Sequence, residues 1–178
     1  MTYFTLPNIL SNTRFFLAPL MVFLILELEW FWAAIFFIYA IFSDLLDGYL
    51  ARLWQQTSAL GGFLDHCSDA ILVVAILSAQ ANLNYIPWFL PPLIALAFVQ
   101  YTLDSKVLAG QALRTSKLGR YNGIAYYCLA ALPLLINLFN LPIAAVYIYY
   151  LSYLLCLSTM LSILDRFISL QKKLKQSS

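Results

Sequence analysis

Two stretches without a single charged side chain, residues 70–103 and 121–164, set the strongest limit on what this chain can fold into. A bilayer core is crossed by about 20 helical residues, so each stretch is too long for one crossing and fits two. Composition agrees: 63% of the 178 residues are hydrophobic and only 10% are charged, giving a mean hydropathy of +0.82. That leaves too few polar side chains to cover a water-facing surface. An all-α integral membrane protein is expected.

Pro, Asn and charge breaks divide the chain into about six transmembrane helices, near 12–29, 31–54, 59–82, 87–108, 118–138 and 142–168. They form one membrane domain over 1–178. Residues 2–10 are short and mixed, which suggests a juxtamembrane amphipathic helix lying along the surface before the first span. Arg14 stands alone ahead of a long apolar run with no small-residue cleavage site, so a cleaved signal peptide is not expected. Cys67, Cys128 and Cys156 sit singly in apolar surroundings and read as packing residues.

Charge tests this layout. With the N-terminus in the cytoplasm, all 10 basic residues, from Arg14 and Arg52 to Arg166 and the Lys172–Lys175 tail, fall on the cytoplasmic side. The outer turns hold Glu27 and Glu29 instead, and this asymmetry fixes the expected orientation. Trp30, Trp32, Tyr85, Trp88, Tyr147, Tyr149 and Tyr150 fall at the outer interface, where aromatic belts form.

Four aspartates occupy one hairpin. Asp44 and Asp47 lie near the inner end of the second span, Asp65 and Asp69 near the start of the third. Three and four residues apart respectively, each pair shares one helix face. The pairs are nested: Asp47 and Asp65 are centred on residue 56, Asp44 and Asp69 half a residue further on. An antiparallel hairpin therefore puts all four at matching depth. Unpaired, each costs about 2.5–3.5 kcal/mol in a membrane. Arg52 alone does not neutralise four, whereas divalent cations, two Mg2+ or Mn2+ ions bridged by shared carboxylates, do. Such ions would also hold a substrate diphosphate. The competing reading is a proton or cation pathway through a transporter. Against it, the outer half carries only Glu27 and Glu29 as charged groups. Gly48, Ala51 and the Gly61-Gly62 pair leave the hairpin without bulk, which suits either a ligand slot beside Arg52 or close helix packing.

Read as a spacing, Asp44 to Asp69 is D-x2-D-G-x2-A-R-x8-G-x3-D-x3-D. This resembles the signature of the CDP-alcohol phosphatidyltransferase family, with Asp44, Asp47, Gly48, Ala51, Arg52, Gly61, Asp65 and Asp69 in every fixed position. The resemblance implies that the four aspartates ligate metal and that Asp69 also takes the proton from the acceptor hydroxyl. It implies that Asp44, Gly48, Ala51, Arg52 and Gly61 hold the cytidine diphosphate of the donor. The implied reaction is attack of an alcohol on the lipid-side phosphorus of CDP-diacylglycerol, releasing CMP, in a homodimer within the bilayer. No nucleic-acid partner is implied.

The acceptor is less well marked. Arg114, Lys117 and Arg120 flank the fifth span and suit a phosphorylated acceptor such as glycerol 3-phosphate, although anchoring against anionic lipid headgroups explains them equally. Asn8-x-Leu10-Ser11-x-x-Arg14 with Pro19 resembles the opening of the bacterial glycerophosphate-using branch and its cardiolipin-forming relatives. That places the expected protein in a bacterial inner membrane, with active site and both termini facing the cytoplasm. Phosphatidylglycerol and inositol phosphate are the alternative acceptors. His66 lies between the last two aspartates and reads as a satisfied interfacial histidine rather than a substrate contact.

Overall fold

The computed structural model describes residues 6–54, 59–104, 117–142 and 145–177, with side chains described within 13–50, 53–54, 61–103, 117–142 and 146–169. Among them the elements are six helices: α1 (Leu6–Leu26), α2 (Trp30–Leu53), α3 (Ala59–Asn82), α4 (Leu90–Asp104), α5 (Lys117–Leu138) and α6 (Ala145–Ser177). Residues 6–10, expected in a separate surface helix, form the first turns of α1 and run into the span without a break. Residues 2–5 lie outside the described part.

Four windows, Trp30–Leu50, Gly61–Asn82, Lys117–Leu138 and Val146–Ser169, are long and apolar enough to cross a membrane. Thr13–Leu26 and Leu90–Leu103 are shorter apolar helices beside them. Only a third of each long window is buried within the protein. The rest presents side chains such as Phe42, Leu45, Leu154, Leu157 and Leu161 outward, more apolar surface than water tolerates. The chain is a multi-pass membrane protein.

Three of the turns share one device. After α1, the N–H of Glu29 donates to the carbonyl of Leu24 at 2.8 Å and that of Leu28 to Ile25 at 3.1 Å. Leu28 sits at φ 61°. This is the Schellman arrangement, which satisfies carbonyls left open at a helix end. Asn84 (φ 61°) repeats it after α3, with Tyr85 N–H donating to Gln80 at 2.9 Å. Asn140 (φ 48°) marks the end of α5, where Leu141 N–H donates to Ile136 at 2.9 Å. Asparagine enters the left-handed region readily; leucine does so against steric resistance.

α1 packs most extensively on α3 and α2, so it is the element on which the other two are aligned. Its buried face is Arg14, Leu17, Ala18, Met21, Leu24 and Ile25, a stripe at three- and four-residue spacing. α2 buries Ala33, Phe37, Ala40, Ser43 and Asp47, and α3 buries Ser68, Leu72, Ile76 and Gln80, the Gln80 amide donating to the α5 carbonyl of Ala130 at 2.7 Å. The small residues on α2 let the helix axes approach closely. α5 and α6 are joined by hydroxyl contacts: Ser158 donates to Asn122 at 2.6 Å, and Tyr126 and Thr159 meet at 2.7 Å. In a membrane such bonds substitute for the hydrophobic drive that lipid removes.

At the aromatic end, Trp30 and Tyr85 meet edge to face with centroids 5.8 Å apart, and the Tyr85 hydroxyl donates to Asn137 at 2.9 Å. Trp32, Trp88, Tyr147 and Tyr150 are exposed. The expected belt thus divides into outward-facing anchors and an inward pair that ties α2 and the turn after α3 to α5.

Candidate functional site

The last turns of α2 and the first turns of α3 carry the aspartates onto one point. On each helix one aspartate of the pair lies in line with the buried stripe, Ala40–Ser43–Asp47 on α2 and Asp65–Ser68–Leu72 on α3. The carboxylates turn toward α1. Arg14 stands on α1 at that depth, its side chain fully buried.

Its guanidinium reaches all four. Nη1 donates to Asp44 at 2.7 Å and to Asp69, and Nη2 donates to Asp47 at 2.5 Å and to Asp65. Arginine suits this position because its fork offers several donors in one plane and its charge is permanent. Four carboxylates against one guanidinium still leave an excess of negative charge. The cluster is also graded in depth: Asp47 is 4% exposed, Asp44 39%. It therefore opens on the Asp44 side.

Sequence reasoning placed the four aspartates together, and they are together. Arg14, which the sequence presents as an inner-side charge and as part of the N-terminal Asn8–Arg14 pattern, is the hub of the cluster. Tyr127 was missed. From α5 its phenol lies close enough to the Asp69 carboxylate to interact with it electrostatically, and its ring packs against Phe37 with centroids 6.2 Å apart. One signal for Arg14 was available: a lone cation in an apolar helix needs a buried acidic partner or an interface, and the hairpin supplied an acidic excess at the same depth.

Next to the cluster lies an aromatic and basic wall. The His66 ring meets the Tyr101 ring at 5.8 Å, and the Arg166 guanidinium stacks over the Tyr101 ring, 4.5 Å from its centroid. Arg166 is buried at 7% exposure, unlike a residue that only anchors a helix to headgroups. Of the expected acceptor residues, Lys117 and Arg120 are exposed at the start of α5, and the cation that pairs with the aspartates is Arg14 instead. Arg114 falls outside the described residues. Ala51 and Arg52 belong to α2, with side chains outside the described set; Gly48 and Gly61 are half-buried beside the aspartates. A Cβ on Gly62 would meet nothing within 4 Å, so close packing does not account for a glycine there.

The donor set fits a hard divalent cation. Carboxylate oxygens from Asp44, Asp47 and Asp65 lie within 4.8 Å of one another. A second group joins Asp65 and Asp69 to a ring nitrogen of His66 within the same limit. The first is all oxygen, the chemistry Mg2+ and Mn2+ prefer.

A family model for CDP-alcohol phosphatidyltransferases matches residues 4–168. The chain belongs to that family. Family members are metal-dependent and act on CDP-alcohols, and the aspartate cluster is where this chain can hold the metal. Among curated relatives, a CDP-diacylglycerol–glycerol-3-phosphate 3-phosphatidyltransferase of Cereibacter sphaeroides is 37% identical over 101 residues, 53% of this chain and 45% of the relative. The enzyme of the same description from Haemophilus influenzae is 37% identical over 94 residues, 51% of each chain. A CMP-forming cardiolipin synthase of Homo sapiens is 43% identical over 84 residues, 47% of this chain and 28% of the relative. The matched stretch spans about half the length, or less, of these relatives.

Proposed function

We propose that this chain transfers a phosphatidyl group from CDP-diacylglycerol to a phosphate-bearing alcohol, releasing CMP, with glycerol 3-phosphate as the acceptor. The observation that carries this reading is the convergence of Asp44, Asp47, Asp65 and Asp69 on one cationic point at the end of a membrane hairpin. Two relatives described as glycerol-3-phosphate phosphatidyltransferases support the acceptor.

Each residue has a part. Asp44, Asp47, Asp65 and Asp69 would hold two divalent ions, which when bound supply positive charge for the donor diphosphate and the departing CMP. Gly48, Ala51, Arg52 and Gly61 would seat the cytidine diphosphate, the glycines allowing close backbone approach and the arginine meeting phosphate. Asp69 takes the proton from the acceptor hydroxyl as its oxygen attacks the lipid-side phosphorus. Tyr127 holds that carboxylate in orientation from α5. A positioned base of this kind contributes about 10²–10⁴ in rate. Arg166, buried and stacked on Tyr101 next to His66, is a better placed cation for the acceptor phosphate than the exposed Lys117 and Arg120. The protein would work as a single-domain homodimer in a bacterial inner membrane, with the aspartate end facing the cytoplasm.

A second reading keeps the donor chemistry and changes the acceptor to phosphatidylglycerol, favoured by the identity to CMP-forming cardiolipin synthase. Both acceptors carry a phosphate and a free hydroxyl, so the same cations serve either. Purified protein in detergent, given CDP-diacylglycerol, Mg2+ or Mn2+ and a panel of glycerol 3-phosphate, phosphatidylglycerol, inositol phosphate and serine, separates them. CMP and phosphatidylglycerophosphate should form with glycerol 3-phosphate. Cardiolipin formation alone would replace that acceptor with the second one, and no CMP with any acceptor and either metal would end the transferase reading.

A further inference from the structure

Arg14 comes from a different helix than the aspartates and lies outside their spacing motif, yet both of its terminal nitrogens are committed to them, two carboxylates each. Its third nitrogen, Nε, is buried and has no hydrogen-bond partner among the described residues. A guanidinium built as a permanent buried ion pair normally has its donors satisfied, because an unmet buried donor is destabilising. This one is held by charge, with a donor left over. The carboxylate oxygens of Asp44, Asp47 and Asp65 that lie within 4.8 Å of one another belong to the same residues that bind the guanidinium. Two cationic occupants have one place.

We propose that Arg14 is a positioning residue acting as a resident counter-cation: it gathers the four carboxylates, and a divalent ion enters the cluster by displacing its guanidinium. The proposal rests on the metal-binding reading of the site. Arginine does not step aside by losing its proton, since it stays charged in proteins. It has to move. The open side at Asp44 offers the route, and a guanidinium displaced that way meets whatever anionic phosphate the ions have brought in. Arg14 accordingly has two effects. It keeps the hairpin assembled against carboxylate repulsion without metal, and it weakens metal binding by competing for the same oxygens.

The test uses full-length protein in detergent, with Mn2+ binding followed by electron paramagnetic resonance and melting followed in EDTA and in saturating Mn2+. Arg14→Met should bind Mn2+ at least tenfold more tightly than wild type. Its melting temperature should fall in EDTA and recover in Mn2+, so the gap between the two conditions widens. A merely structural arginine would instead lower melting alike in both conditions without tightening Mn2+. Arg14→Lys keeps the charge and loses the two-by-two fork, and carries the test if Arg14→Met does not fold. It should still bind Mn2+ more tightly than wild type. Unchanged or weakened Mn2+ affinity in the folded variants would overturn the role of Arg14 alone. No Mn2+ binding to wild type or any variant would overturn the metal reading beneath it.

Discussion

The two ends of the helical bundle are held together by opposite means. At the aromatic end, Trp30, Tyr85 and Asn137 join α2, the turn after α3 and α5 through ring contact and a neutral hydrogen bond. At the charged end, α1, α2 and α3 meet through one guanidinium and four carboxylates whose charges do not cancel. The first arrangement stabilises a fold. The second is an unbalanced charge waiting for a counter-ion, which is what a site for metal and diphosphate needs. With metal present, stability should therefore respond to changes at the aromatic end and turnover to changes at the charged end.

The largest effect is expected from Asp69→Asn. Removing the base while keeping the shape should lower CMP release by about 10²–10⁴-fold, with melting in Mn2+ shifted by only a few degrees. A variant with near-wild-type turnover would remove Asp69 from the proton transfer. Tyr127→Phe comes next. It removes the phenolic hydroxyl that would orient Asp69, and a loss of about 1–1.5 kcal/mol corresponds to roughly tenfold in kcat. The acceptor KM should stay near wild type; a change in KM alone would make Tyr127 a binding residue instead.

Smaller effects belong to the other end. Tyr85→Phe removes the bond to Asn137, about 1 kcal/mol, and should lower the melting temperature by about 2–4 °C with turnover unchanged. Lost turnover at equal melting would show that the two ends are coupled. The mildest change is expected from Leu28→Asn. Leu28 is exposed and held at φ 61°, and asparagine relieves part of that strain. A rise in melting temperature of about 1–2 °C should follow, and a fall would mean that the leucine side chain contributes more by packing than its backbone loses.

The same contrast explains what could be read in the sequence. The aspartate hairpin was legible because charge is rare in this chain and the spacings of Asp44, Asp47, Asp65 and Asp69 are nested, so depth followed from arithmetic alone. Asn84 and Asn140 announced turns because asparagine tolerates left-handed backbone. Leu28 announced nothing, and the first span, expected at 12–29, is part of a helix that ends at Leu26. Arg14 escaped for a different reason. From Phe15 to Leu26 α1 is apolar on every side, so periodicity offers no contrast between a buried and a lipid-facing stripe, and the side on which Arg14 lies is decided by α2 and α3. Tyr127 is one of 12 tyrosines, with nothing local to set it apart. Arg166 counted as one inner charge among ten until its stacking on Tyr101 separated it from the rest.

The most direct test of the charged end is CMP release from CDP-diacylglycerol by one preparation of the purified protein, measured in EDTA, in Mg2+ and in Mn2+, beside Asp47→Asn. Release should be absent in EDTA, appear with either ion when the acceptor is present, and stay low in Asp47→Asn, whose side chain is the deepest of the four aspartates. Release that proceeds equally in EDTA, or that survives the loss of Asp47, would contradict the assignment of the four aspartates as a metal-dependent transfer site.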